Sequence, residues 1–138
     1  MKLVIVKYNA GNIQSVLYAL ERIGLTAVVT DDHHEIQTAD KVIFPGVGEA
    51  STAMKYPQDR GLDTVIRNLK QPVLGICLGM QLMCAHSEEN DTACLNIFDE
   101  PVKRFTQPVE SYNKSAQSAI KVPQIGWNNI FDLTTPLF

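Results

Sequence analysis

The chain opens on LVIVKY (3–8), a β-branched run without the alternation of a half-exposed strand, which reads as the first strand. Such a run fits a strand covered on both faces, as in a parallel sheet. The positions Ile13, Val16, Leu17, Leu20 and Ile23 then recur at the helical period, with Asn12 placed to cap the helix and Gly24 to stop it. Residues 26–30 (TAVVT), 41–46 (KVIFPG) and 72–77 (PVLGIC) read as three further strands, and residues 31–40 as a polar connection with at most a short helix. Residues 48–70 predict two helical pieces broken at Pro57 and Gly61. Strands alternating with helices predict an α/β fold of right-handed βαβ units around a mostly parallel sheet.

After residue 87 the pattern changes. SEENDTA reads as a polar surface loop, NIFDEPVKRF as a short strand pair, residues 106–118 as a weakly patterned loop, and residues 119–131 as antiparallel edge strands. Short antiparallel edge strands are therefore expected after residue 90. The 138 residues contain no repeat or low-complexity tract and predict one domain, large enough to bury roughly two thirds of its unfolded surface.

Composition narrows the function classes. Apolar residues at 45% and charged residues at 20% are ordinary for a folded domain and argue against disorder. The net charge is −3 and the basic residues are scattered, so a nucleic-acid footprint is not expected. No apolar run approaches the roughly 18 residues of a membrane span, and the first residues are too short an apolar run for a signal peptide. Cys77, Cys84 and Cys94 form no zinc pattern, and with the scattered His33, His34 and His86 they predict no metal site. An odd cysteine count without a secretory signal suggests reduced thiols in a cytoplasmic protein.

Candidate chemistry centres on Gly75-Ile76-Cys77-Leu78-Gly79, a Gly-x-Cys-x-Gly pattern where the fourth strand gives way to a helix. A sharp strand-to-helix turn forces its central residue into a strained conformation, and flanking glycines remove the Cβ atoms that would clash there. The helix beginning at Leu78 directs free amides toward the sulfur, which favours the thiolate, and the Leu78 amide would form half of an oxyanion hole. The other half is expected from Pro45-Gly46-Val47-Gly48, at the end of a neighbouring parallel strand, since such strand ends face a common crevice. Gln81 lies one helical turn beyond Cys77 and could contact an amide-bearing substrate. A cysteine is also among the most buried residue types, and Cys84 and Cys94 read as packing residues.

Taken together, YNAGNIQSV (8–16), PGVGEASTAM (45–54), RGLDTVIR (60–67), PVLGICLGMQL (72–82) and KVPQIGWN (121–128) resemble the class I, or triad, glutamine amidotransferases. Within them the resemblance is to the glutaminase branch that serves imidazole glycerol phosphate synthase. It implies a three-layer, flavodoxin-like sheet and glutamine hydrolysis through a thioester on Cys77, without a cofactor. It further implies ammonia delivery to a (β/α)8-barrel cyclase partner in histidine biosynthesis. The implied roles are Cys77 as nucleophile, Val47 and Leu78 as oxyanion amides, and Gly48 and Gln81 as glutamine-binding residues. Asn12, Pro123, Ile125 and Trp127 fall where the family meets its barrel partner. Core packing is the alternative reading of Trp127.

The chain departs from the family pattern in carrying Gln124-Ile125 where His-Met is usual, and in lacking a glycine pair in residues 95–105. It also carries no His-Pro-Glu, the stretch from which the family draws the base and its orienting acid. His86 is nine residues beyond Cys77, on the opposite face of the expected helix, and His33 and His34 sit in a polar connection. The expectation is an N-terminal portion of a longer glutaminase, nearly inactive alone. Two other readings stand beside it: a binding subunit that has lost its triad, and a deglycase or intracellular-protease relative. The latter generally places histidine directly after the cysteine, where this chain has Leu78.

Overall fold

The computed structural model describes residues 1–9, 11–105, 125–129 and 131. The first strand, β1 (Leu3–Val6), is buried at all four positions. Val4 and Val6 point into one apolar cluster and Leu3 and Ile5 into another. That is why the run lacks alternation: both faces are covered. Helix α1 (Ile13–Arg22) follows, capped by the Asn12 side chain, which accepts from the Ser15 amide at 3.2 Å. Its apolar stripe, Ile13, Val16, Leu17 and Leu20, lies on the Leu3 and Ile5 side. Ile23, expected on that stripe, is instead the exposed C-cap.

β2 (Val28–Thr30), α2 (His33–Gln37), β3 (Lys41–Phe44), α3 (Ala50–Asp59), α4 (Leu62–Arg67), β4 (Val73–Gly75) and α5 (Leu78–Met83) complete the βα succession. The four strands form one sheet in the order β2-β1-β3-β4, every pair parallel. Residues of α2, α3, α4 and α5 make up the larger core on the side of Val4, Val42 and Phe44, opposite α1. This is the three-layer arrangement expected. The break between α3 and α4 falls at Gly61 alone, whose φ is +67°. Pro57, expected to end a helix, lies inside α3 with its ring fully buried. Near the end of a helix the missing N–H forfeits one bond, and burial of the ring offsets it.

A second, smaller sheet has the order β6-β5-β7, from β5 (Cys84–Ser87), β6 (Thr92–Ala93) and β7 (Phe98–Val102). The β5–β6 pair is antiparallel as expected, but β7 runs parallel to β5 across a register shift. Residues 96–105 are thus a single strand and its flanks rather than a strand pair. Within residues 119–131 the described positions 125–129 and 131 carry no strand, and the rest of that expected edge lies outside the described residues. The chain divides into two units, Met1–Lys103 and Arg104–Phe138. Among the described residues no helix is long and apolar enough to cross a membrane.

Candidate active site

Three loops meet where β1, β3 and β4 end. In the first, Tyr8 is buried just beyond β1, its ring tilted against Phe44 with centroids 5.0 Å apart. In the second, Pro45 and Gly46 are buried while Val47 and Gly48 face solvent. The third is the turn from β4 into α5. The ladder between β3 and β4 ends with Ile76 donating to the Phe44 carbonyl at 3.0 Å. Cys77 then adopts φ +53° and ψ −118° and serves as the N-cap of α5, and its carbonyl accepts from the Gln81 amide at 3.1 Å. A non-glycine residue at positive φ is sparsely populated and stores of order 1–3 kcal/mol of strain. The strained elbow read from the sequence is present, and Cys77 is the exposed cysteine of the three.

The glycine after Cys77 serves a second purpose. A Cβ on Gly79 would overlap the Phe44 carbonyl oxygen and lie 2.8 Å from the Phe44 carbonyl carbon. A Cβ on Gly46 would lie 2.5 Å from the Gly79 amide nitrogen, 2.6 Å from the Tyr8 hydroxyl and 2.9 Å from the Leu78 Cβ. The first turn of α5 therefore packs backbone to backbone on the end of β3, which brings the Pro45–Gly48 segment against the elbow. Gly48 turns the chain at φ +99°, a conformation costly for any residue with a Cβ.

The far end of that segment is held by carboxylates. Glu49 caps α3, accepting from the Ser51 amide at 2.7 Å and the Thr52 amide at 3.2 Å. The Ser51 amide above all holds the Glu49 carboxyl at about 2. Glu89 reaches across from the loop after β5 to accept from the Ala50 amide at 3.0 Å.

The structure thus brings Gly46 against Gly79 and Leu78, the residues that follow Cys77, while Val47 and Gly48 continue from Gly46 on the exposed side. The Leu78 side chain is buried in the core, and Gln81 is half-buried on α5. Asn12 is exposed at the start of α1. Ile125 and Trp127 are exposed residues of the second unit, and Pro123 lies outside the described residues. Two histidines are bound elsewhere: His33 Nε2 lies 2.9 Å from the Arg60 carbonyl, and His86 Nε2 lies 2.8 Å from Asp91 Oδ1. His86 is not on the elbow helix as expected. Cys84 turns extended at ψ 176°, ends α5, and places His86 in β5. Cys84 is accordingly a half-buried strand residue rather than helix packing, and burial raises its thiol pKa. Cys94 is buried, and its thiol is raised for the same cause.

Sequence reasoning missed Tyr8. Its hydroxyl donates to the Pro45 carbonyl at 2.5 Å in a buried setting. Burial, and secondarily the nearby Cys77, push the phenol far above its ordinary value, so it stays a neutral donor. The signal available was a polar-tipped aromatic directly after a doubly buried strand.

Residues 4–130 match the family described as glutamine amidotransferase class-I. The chain is 56% identical over its whole length to the imidazole glycerol phosphate synthase subunit HisH of Bacteroides thetaiotaomicron, covering 66% of that protein. It is 44% identical over 130 residues to the protein of that name from Idiomarina loihiensis, covering 94% of this chain and 61% of the relative. The corresponding Haemophilus influenzae protein is 40% identical, with 100% and 65% covered. The chain therefore spans slightly less than two thirds of the length of these relatives. With 127 of its 138 residues matched, the chain belongs to the class-I glutamine amidotransferase family.

Proposed function

We propose that the chain is part of the glutamine-hydrolysing subunit of an imidazole glycerol phosphate synthase, forming one amidotransferase domain over residues 1–138. The observation that carries this reading is Cys77, strained and exposed at an elbow whose next residues, Leu78 and Gly79, pack on Gly46. The family description, glutamine amidotransferase class-I, supports glutamine as the substrate, and the likeness to HisH proteins supports the synthase. The Cys77 thiolate attacks the carboxamide carbon of glutamine, and the Val47 and Leu78 amides stabilise the oxyanion. The C–N bond breaks as the nitrogen takes a proton and leaves as ammonia. Water then cleaves the C–S bond of the γ-glutamyl thioester, releasing glutamate and the thiol.

Gly48 and Gln81 line the glutamine site in this reading. The family resemblance assigns Asn12 in the first unit, and separately Pro123, Ile125 and Trp127, to contact with a (β/α)8-barrel cyclase that consumes the ammonia, and exposed Ile125 and Trp127 suit an apolar anchor. Free thiols suit a reducing cytoplasm. The likeness to HisH proteins does not favour the deglycase and protease branch. Since His33 and His86 are engaged elsewhere and His34 stands beside His33 on α2, residues 1–138 alone are expected to turn glutamine over negligibly.

Labelling tests the site without needing turnover. A glutamine-analogue diazo-ketone should modify Cys77 well ahead of half-buried Cys84 and buried Cys94, as read by peptide mass spectrometry. Equal modification of Cys77 and Cys84 refutes the glutamine pocket. Capture of the cyclase without Cys77 labelling would instead identify a binding subunit.

A further inference from the structure

Resting on the glutaminase reading, we propose that the Tyr8 hydroxyl is a positioning group that holds the Pro45–Gly48 backbone where its amides can serve the oxyanion at Cys77. The segment is pinned at both ends and open in the middle. At its far end Glu49 and Glu89 hold the Ala50, Ser51 and Thr52 amides. At its near end proline offers no N–H, so the Pro45 carbonyl is the one backbone polar group that can be tied there. The Tyr8 hydroxyl ties it, within a site where an unpaired carbonyl would be costly. Between these anchors Val47 and Gly48 face solvent.

The placement is tight. The hydroxyl lies 2.6 Å from where a Cβ on Gly46 would be, so only glycine there lets the phenol reach the carbonyl. The same glycine touches the elbow through Gly79 and Leu78. Tyr8, the oxyanion segment and the turn carrying Cys77 therefore share one contact. A phenol kept neutral by burial remains a donor whether or not Cys77 is charged. The ring is fixed separately, by stacking on Phe44, so removal of the hydroxyl alone leaves the apolar contact in place.

Tyr8→Phe in the full chain separates positioning from packing through two electrophiles. The glutamine-analogue diazo-ketone has a carbonyl oxygen that the oxyanion amides must hold, whereas iodoacetamide at alkaline pH reports only access to the thiolate. Labelling of Cys77 by the analogue should slow about tenfold, the effect of one hydrogen bond, with the iodoacetamide rate unchanged. Hydrogen exchange at the Val47 and Gly48 amides should quicken. An unchanged analogue rate, or an equal fall with both reagents, overturns the positioning role. If the unsubstituted chain does not take the analogue, the glutaminase reading itself falls and this inference with it.

Discussion

Replacement of Gly79 by alanine sets two opposed effects against each other. Gly79 lies in the first turn of α5, and its φ is not positive. By helix propensity alone, alanine there would stabilise the fold by about 1 kcal/mol. The new Cβ, however, would overlap the Phe44 carbonyl oxygen and stand 2.8 Å from the Phe44 carbonyl carbon and 3.0 Å from that of Pro45. All three are backbone atoms at the end of a central strand, so no side chain can swing away. Ordinary carbon contacts of about 3.5–4.0 Å require α5 to retreat by roughly 1 Å. That retreat strains the Ile76-to-Phe44 bond that closes the ladder. Overpacking of this kind costs about 1–3 kcal/mol and more where nothing yields, so the net loss is expected at about 2 kcal/mol. With a urea slope of about 1–3 kcal/mol/M, the midpoint should fall by roughly 1 M in an unfolding curve followed by circular dichroism. Gly24→Ala is the control: its φ is +72° with no atom within 4 Å, so only the left-handed backbone penalty of about 1–2 kcal/mol applies. A Gly79→Ala chain as stable as the parent would refute the claim that backbone contact joins the elbow to β3.

Cys77→Gly should stabilise the chain by about 1 kcal/mol, because relief of positive-φ strain exceeds the added entropy of an unfolded glycine, while little packing is lost at an exposed site. A destabilised variant in urea unfolding would show that the elbow is not strained. Glu49 gives a pH dependence of known sign. Its folded pKa is about 2, below the ordinary 4.5, so its contribution is complete above 4.5 and fades as pH falls toward 2. The stability gap between the parent and Glu49→Gln should therefore shrink across that window, and a gap that is constant with pH contradicts the cap. Tyr56→Phe should raise the Asp31 carboxyl toward its ordinary value, because the 2.7 Å bond from the Tyr56 hydroxyl is the main cause of its depression. A side-chain NMR titration of Asp31 that does not move would count against that bond.

How much of this was legible depended on the scale of the constraint. Unbroken apolar runs in β1 and β3 announced a doubly covered sheet because burial on both faces removes the period-2 signal. The stripe on α1 was visible for the opposite reason, since one face packs and the other is wet. Failures came where tertiary contact overrides local preference. Pro57 stays inside α3 because its ring is buried, and α5 stops at Met83 because Cys84 to Ser87 pair with β6 and β7. A parallel β5–β7 pair leaves no turn signature between its strands, so residues 96–105 read as a local hairpin.

The site was legible in its parts and not in its joinery. Two glycine motifs some thirty residues apart each pointed to a tight turn, and both turns exist. Their glycines, however, serve each other: Gly46 and Gly79 are small because the two loops and the Tyr8 hydroxyl occupy the space a Cβ would need. Backbone contact, rather than any side chain at the surface, then fixes Gly46 against the turn that carries Cys77. The Val47 side chain is half exposed, and the role proposed for Val47 rests on its amide. Val47→Ala should leave stability within about 0.5 kcal/mol and the analogue labelling rate of Cys77 within about twofold. A tenfold loss of labelling would transfer the role from the backbone to the side chain and undo the reasoning that links the two glycines.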